Sequence, residues 1–293
     1  MNPVFRTIAL IGKYKSPEIA ESLLNLAEFL RSRDVAVLVE EGTAALVGAD
    51  GFPVASYADI GRRADLAIVL GGDGSMLTAA RQLAESGVPL VGVNQGRLGF
   101  MTDLARDDML DGVADLLEGR FKDERRFLLD ASVTRDGACV FQTQALNDVV
   151  VNKGDLGRMI EFAVSIDGEF IYNQRSDGLI VATPTGSTAY ALSGGGPILD
   201  PRAKALALVP ICPHTLTNRP IVLHHDARVL IRVATDREDE SRVTCDGNSI
   251  QDLLPGDEVR VARRERSVRL LHPAGHDHFA TLRAKLNWGR DPC

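Results

Sequence analysis

The stretch LAIVLGGDGS, residues 66–75, decides the fold. Its first five residues are all apolar, which predicts a short strand buried on both faces of a sheet. The Gly-Gly-Asp-Gly that follows predicts a tight turn, and residues 76–84 have the apolar spacing of a helix. A buried strand that leads through glycines into a helix is typical of α/β sheets, which bind ligands at the carboxyl ends of their strands.

The sequence on both sides of this stretch repeats the alternation of strand and helix. Ser16 and Pro17 are suited to the N-cap and the first position of a helix. Apolar runs predict three further strands, at residues 7–11, 35–39 and 89–93, and one further helix at residues 107–118. We therefore predict an N-terminal α/β, Rossmann-like domain with a mostly parallel sheet over residues 1–122.

Beyond residue 121 the pattern changes to long alternating strands separated by Asp-Gly pairs, which are strong hairpin signals. The pairs are Asp136-Gly137, Asp167-Gly168 and Asp246-Gly247. The predicted strands cover residues 128–133, 140–151, 160–166, 179–182, 221–233 and 259–271. This number of strands predicts an all-β domain, a β-sandwich, over residues 123–271.

The end of the chain returns to a helical pattern at residues 277–286, with Phe279, Leu282 and Leu286 on one face. We expect this helix to pack back on the first domain, as part of a returning segment that covers residues 272–293.

The composition of the 293 residues excludes several classes of protein. Lys and Arg number 33 and Asp and Glu 40, so the net charge is −7, and only 5% of residues are aromatic, which argues against a nucleic-acid partner. No apolar run approaches the roughly 18 residues of a membrane span, so we expect a cytoplasmic protein without a membrane partner. The four cysteines lie far apart and are expected to be reduced.

Two glycine-rich segments carry chemistry. In the first, residues 71–74, the glycines let backbone amides approach a phosphate, and Asp73 could accept a proton from a hydroxyl or help to hold a metal. In the second, residues 184–197, four hydroxyl side chains, exposed amides and a tyrosine suit hydrogen bonds to sugar and phosphate oxygens. The alternatives are an ordinary strand-to-helix turn and a flexible loop.

Together these segments resemble the bacterial NAD kinase family. The motifs at residues 71–74, 94–100, 146–148, 175–178, 183–193 and 194–197 occur in family order over essentially the whole chain. The resemblance implies transfer of the γ-phosphoryl group of ATP to the 2′-hydroxyl of the adenosine ribose of NAD, which yields NADP and ADP. It also implies Mg²⁺ or another divalent cation brought with ATP, no bound prosthetic group, and a homodimer or homotetramer.

The resemblance also implies the site residues. Asp73 would be the general base, Gly74 would lie against the substrate, and Asn147 and Asp148 would contact adenosine or ribose, at a pair that is usually Asn-Glu in the family. The whole implied substrate-binding set is Asp73, Gly74, Asn147, Asp148, Arg158, Arg175, Asp177, Thr188, Ala189, Tyr190, Ala191, Leu192, Ser193 and Asn248. Three assignments have a structural alternative that remains open. Asn147-Asp148 could cap a bulge, Arg158 could be a solvated loop residue, and Asn248 could be a turn residue.

Several other features are weaker. Four residues resemble metal ligands, His272, His276, Asp277 and His278, but Pro273 and Gly275 interrupt the regular helical spacing of a zinc motif. We interpret them as an ordinary loop and expect no resident metal. The basic run at residues 260–269 fits the polar face of a hairpin, and a subunit interface or an anion site stays open.

Two other functions compete with NAD phosphorylation. The first is a lipid or polyol kinase with the same Gly-Gly-Asp-Gly loop. The second is a dinucleotide-binding regulator without catalysis, against which Asp73 in an intact loop argues.

Overall fold

The computed structural model describes residues 3–12, 17–48, 51–96, 99–154, 158–234 and 240–288. The chain divides into two compact units. The first unit consists of Met1–Arg125 together with Val268–Cys293, and the second unit is Arg126–Ser267. Ser16 and Leu98 lie outside the described residues.

The first unit is built on a parallel sheet with strand order β3-β2-β1-β4-β5. Its strands are β1 (Thr7–Gly12), β2 (Ala36–Glu40), β3 (Val54–Ala55), β4 (Leu66–Leu70), β5 (Leu90–Asn94) and β6 (Leu104–Ala105). Its helices are α1 (Pro17–Arg31), α2 (Glu41–Val47), α3 (Tyr57–Arg63), α4 (Asp73–Leu83), α5 (Met109–Leu117) and α7 (His278–Leu286).

Every residue of β4 and of β5 is buried, as the unbroken apolar sequence predicts for strands covered on both faces. The predicted α/β domain with a mostly parallel sheet is confirmed. Two details differ. Helix α4 begins at Asp73 rather than at residue 76, because Gly72 takes the extended N-cap conformation immediately after the strand. In α7 Leu282 is buried but Phe279 is 56% exposed, so the predicted apolar face does not include Phe279.

The second unit is a β-sandwich, as predicted. One sheet has six antiparallel strands in the order β14-β13-β12-β9-β16-β17. These are β9 (Asp148–Lys153), β12 (Gly178–Ala182), β13 (Ala205–Ile211), β14 (Ile221–His224), β16 (Ser241–Cys245) and β17 (Ser249–Leu253). The other sheet contains β7 (Phe121–Arg135), β8 (Ala138–Ala145), β10 (Ile160–Ile166), β11 (Glu169–Ser176), β15 (Val229–Val233) and β18 (Glu258–Pro273). Strands β7 and β18 each begin in one unit and end in the other.

Two predicted long strands are wrong, because each is two strands that belong to different sheets. The run at residues 140–151 breaks at Leu146-Asn147, where β8 leaves one sheet and β9 enters the other. The run at residues 221–233 divides in the same way into β14 and β15. The Asp-Gly pairs do form hairpins, with positive φ at both residues of each pair, for example 50° at Asp246 and 67° at Gly247.

The basic run lies on β18 and pairs with acids within each unit. Arg260 contacts Glu258 at 2.7 Å, and Arg263 contacts Asp226 at 2.7 Å. Arg269 lies 2.5 Å from Asp123 in the first unit. These pairs favour the polar-face interpretation of the run over an anion site. Within the described part of the chain, no helix is long and apolar enough to cross a membrane.

Candidate active site

Asp73 lies at the carboxyl end of β4, as the first residue of α4. One of its carboxylate oxygens accepts a hydrogen bond from the amide of Phe100 and the other from the amide of Met101, both at 2.9 Å. The carboxylate is therefore fixed in orientation, while each oxygen keeps a further lone pair for another donor. Asp73 is half-buried and the neighbouring Gly74 is exposed, so a ligand can approach this position.

The segment that holds Asp73 has no room for a side chain at Gly99. A Cβ there would lie 2.2 Å from Asp73 Oδ1 and 2.3 Å from Thr102 Oγ1. Earlier in the same family motif, the Asn94 side chain accepts a hydrogen bond from the Gly96 amide at 2.9 Å. The glycine at position 99 thus serves the close packing of backbone against the Asp73 carboxylate.

In the second unit, Asn147 and Asp148 lie where the chain passes from β8 to β9. The carboxylate of Asp246 fixes this crossing, because it accepts hydrogen bonds from the amides of Leu146 and Asn147 at 2.9 and 2.8 Å and from that of Asp148 at 3.3 Å. Sequence reasoning assigned Asp246 only to a turn. Its partners are about a hundred residues away in the chain, so no local pattern could have indicated this role.

Asp148 is a buried carboxyl group, 5% exposed. Burial and, to a smaller extent, the negative charge of Asp246 raise the pKa of Asp148 to about 7. Near neutral pH this group therefore exchanges between its neutral and ionised forms, and it can both donate and accept hydrogen bonds to sugar hydroxyls.

The segment after β12 packs directly on the Asn147 backbone. The Thr183 hydroxyl donates to the Leu146 carbonyl at 2.6 Å, and the Thr183 amide donates to the Asn147 carbonyl at 2.9 Å. A Cβ at Gly186 would lie only 2.0 Å from that same Asn147 carbonyl oxygen. The start of this segment, residues 183–186, is thereby held against Asn147.

The predicted residues of this segment differ in accessibility. Tyr190 and Ser193 are exposed on α6 (Tyr190–Ser193), Ala191 is buried, and the other three are partly buried, namely Thr188, Ala189 and Leu192. The backbone and two exposed side chains can thus contact a ligand, whereas Ala191 anchors the segment against the sheet.

Asn248 joins the same group through its turn. Its side-chain amide donates to the carbonyl of Asp246 at 3.1 Å, and its own amide donates to the Cys245 carbonyl at 3.1 Å. Asn248 is exposed, so the structure accommodates both its expected substrate contact and its role in the turn.

Asp177 lies apart from this group. Asp177 precedes β12 and Thr183 follows it, so about 20 Å of extended chain separates them at ~3.3 Å per residue. Asp177 instead forms an ion pair with Lys153 at 3.0 Å. Arg175 and Arg158 are exposed.

Comparison with known proteins gives matches over both units. The model of the ATP-NAD kinase N-terminal domain matches residues 8–121, and that of the ATP-NAD kinase C-terminal domain matches residues 146–272. An NAD kinase of Aromatoleum aromaticum is 57% identical over 100% of this chain and 97% of its own length. An NAD kinase of Azoarcus sp. is 56% identical over 100% of this chain and 99% of its own.

Solved structures agree with these matches. Yeast NADH kinase complexed with NADH superposes with a TM-score of 0.89 at 26% identity, covering 100% of this chain and 90% of that one. An Archaeoglobus fulgidus NAD kinase in complex with ATP has a TM-score of 0.74 at 23% identity, covering 95% of this chain and 99% of that one, and supports the fold alone. The two domain models and the full-length relatives place this chain in the ATP-NAD kinase family.

Proposed function

We propose that this chain transfers the γ-phosphoryl group of ATP to the 2′-hydroxyl of the adenosine ribose of NAD, releasing NADP and ADP. The observation that carries the proposal is the fixed carboxylate of Asp73 at the carboxyl end of β4, in a chain of the ATP-NAD kinase family.

Asp73 acts as the general base in this proposal. A ribose hydroxyl is a poor nucleophile at neutral pH, and a carboxylate within hydrogen-bond distance orients it and accepts its proton as oxygen attacks phosphorus. The new bond joins the 2′-oxygen to the γ-phosphorus, the bond from phosphorus to the β,γ-bridging oxygen breaks, and ADP leaves. Such assistance is typically worth roughly 10²–10⁴-fold in rate, or about 3–5 kcal/mol of barrier.

Backbone groups at the start of α4 suit the phosphates. The first amides of a helix have no partner within the helix and carry partial positive charge, so they favour bound anions. Gly72 and Gly74 have open space where a Cβ would stand, so phosphate oxygens can reach the backbone. We expect the remaining phosphate charge to be met by Mg²⁺ or another divalent cation that arrives with ATP.

NAD recognition is assigned to the second unit. Asn147 and Asp148 supply an amide and a carboxyl group for the adenosine or its ribose, while residues 188–193 and Asn248 supply backbone groups and exposed side chains. Arg158, Arg175 and Asp177 belong to the proposed set by resemblance, and their expected role is contact with the rest of the dinucleotide. Self-association into a dimer or tetramer and a cytoplasmic location belong to the same proposal.

The decisive experiment incubates purified protein with Mg-ATP and NAD and detects NADP with an NADP-specific dehydrogenase. We expect NADP from the wild type and a kcat lower by roughly 10²–10⁴-fold in Asp73→Asn, which retains the shape of the side chain. Asp111→Asn is the matched control, since Asp111 is likewise an acid in the first turn of a helix but is exposed on α5.

The outcomes separate the competing functions. Near-normal turnover in Asp73→Asn would remove the assignment of the base. Phosphorylation of a lipid or polyol in place of NAD would favour the hypothesis of a lipid or polyol kinase. Tight NAD binding without any turnover would favour a dinucleotide-binding regulator. Replacing NAD by NADH and ATP by inorganic polyphosphate measures the acceptor and donor range.

A further inference from the structure

A cluster of two histidines and two acids, buried at His272 and partly buried at the other three residues, lies in the first unit, outside the residues assigned to the reaction. His272, 2% exposed near the end of β18, contacts the Asp103 carboxylate through Nδ1 and lies 2.9 Å from Glu124 through Nε2. His276 Nδ1 lies 3.1 Å from the other oxygen of Asp103, and the two imidazole rings stack with centroids 4.2 Å apart. The interpretation as an ordinary loop is wrong for His272, which lies on β18, and for His278, which begins α7.

The cluster is an ion-pair network. An Asp103 oxygen contacts Nδ1 of His272 and a Glu124 oxygen lies 2.9 Å from Nε2, and this arrangement of negative charge favours the doubly protonated imidazole. Burial alone would lower the pKa of His272, but the hydrogen bond to Asp103 and the nearby Glu124 carboxylate raise it to about 9. Two more charged groups lie at the cluster: Lys122 donates to the backbone carbonyl of His276 at 2.7 Å, and the Asp277 carboxylate interacts electrostatically with His276.

The same network reaches the segment that holds Asp73. Asp103 follows Met101 by two residues, and the Met101 and Phe100 amides are the donors to the Asp73 carboxylate. On its other side the segment packs closely on β5, since a Cβ at Gly92 would lie 2.6 Å from the Met101 carbonyl oxygen. Residues 99–103 thus pack on β5, and the contact of Asp103 with His272 also ties them to β18.

We propose that His272, acting through Asp103, is a positioning residue that holds residues 99–103 so that their amides fix the Asp73 carboxylate. Loss of this anchor would let the donors move and would misplace Asp73, without removing any group that contacts substrate. This inference rests on the proposed role of Asp73 as base.

Two conservative variants distinguish loss of the hydrogen bond to Asp103 from a change in side-chain volume at position 272. His272→Asn places an amide donor near the position of Nδ1 and keeps a hydrogen bond toward Asp103, whereas His272→Gln places it near Nε2, toward Glu124. We expect kcat to fall by about 10–100-fold in His272→Gln, since a misplacement of about 1 Å can cost 10²-fold, with KM for NAD and ATP changed less than about threefold. His272→Asn should retain most of kcat.

A readout without turnover keeps this test separate from that of the proposed function. Backbone hydrogen exchange should become faster in residues 99–103 of His272→Gln and stay unchanged in β1, while His272→Asn should exchange like the wild type. If the wild type makes no NADP, the proposed function fails, and exchange still measures how firmly residues 99–103 are held.

Three results would overturn the proposal. The first is unchanged exchange at residues 99–103 in His272→Gln. The second is equal loss of kcat in the Asn and Gln variants, which would indicate a merely structural role. The third is one equivalent of zinc in the purified protein that disappears in His272→Gln, which would make the cluster a metal site.

Discussion

Replacing Gly99 by alanine tests how rigidly the Asp73 carboxylate is held. The new methyl carbon would lie 2.2 Å from Asp73 Oδ1 and 2.3 Å from Thr102 Oγ1, more than 1 Å inside ordinary contact distance. Thr102 is fully buried, and turning its Oγ1 away would also swing its methyl group, which packs near Gly92. Asp73 is held as well, because both of its oxygens accept amide hydrogen bonds.

The magnitude follows from these contacts. Overpacking a filled site costs about 1–3 kcal/mol, and a lost hydrogen bond to a charged group costs about 1.5–3 kcal/mol. We therefore expect Gly99→Ala to lower the free energy of unfolding by about 2.5–6 kcal/mol. A carboxylate displaced by about 1 Å should also lower kcat by about 10²-fold at temperatures where the variant is folded.

Urea unfolding and the coupled NADP assay measure the two effects. Gly96→Ala is the control for stability, because a Cβ at Gly96 meets nothing within 4 Å and φ there is not in the left-handed region. The reasoning fails if Gly99→Ala unfolds within about 0.5 kcal/mol of the wild type, the range of neutral surface substitutions, and keeps its kcat.

Three further predictions concern buried groups. Because the pKa of Asp148 is raised to about 7 from an ordinary 3.8, its ionisation costs stability as pH rises between these values, so Asp148→Asn should stabilise the fold more at pH 8 than at pH 4.5 in urea unfolding. The stability from His272 is complete below pH 6.5 and is lost as pH rises through about 9. The destabilisation by His272→Gln should therefore be larger at pH 6 than at pH 9.5, by up to about 3 kcal/mol at ~1.36 kcal/mol per pH unit, and a pH-independent difference would contradict a charged His272. Gly186→Ala should lower the free energy of unfolding by about 1–3 kcal/mol, since its Cβ would lie 2.0 Å from the Asn147 carbonyl oxygen. An unchanged urea midpoint would refute that packing.

Local features of the sequence were sufficient for much of the fold. The apolar run at residues 66–70 coincides with β4, and each Asp-Gly pair forms its hairpin, because burial on both faces and positive φ are properties of a few neighbouring residues. The break at Leu146-Asn147 could not be predicted, since it depends on which sheet accepts the next strand. Both halves of that run have the composition of a strand, so only the partner strands reveal the crossing.

The candidate site shows the same limit. Family motifs pointed to Asp73 and to Asn147-Asp148, but what holds them is distant in the chain. Phe100 lies 27 residues from Asp73, Asp246 lies 99 residues from Asn147, and Asp103 lies 169 residues from His272. Each of these pairs joins backbone amides or a buried ring to a carboxylate, and none produces a periodic pattern that could be read from the sequence.

The two candidate carboxyl groups are suited to different tasks because their surroundings differ. Asp148 is buried beside a second carboxylate and retains a proton to near neutral pH, which suits a group that both donates and accepts hydrogen bonds at a sugar. Asp73 is half-buried and faces two amide donors, with a lone pair left on each oxygen for a hydroxyl. Orientation and access, rather than the pKa of Asp148, carry the proposal of Asp73 as base: its carboxylate is fixed by two amides and half-buried, whereas Asp148 is 5% exposed. We expect the loss of kcat to be much larger in Asp73→Asn than in Asp148→Asn, whose main effect should be a raised KM for NAD.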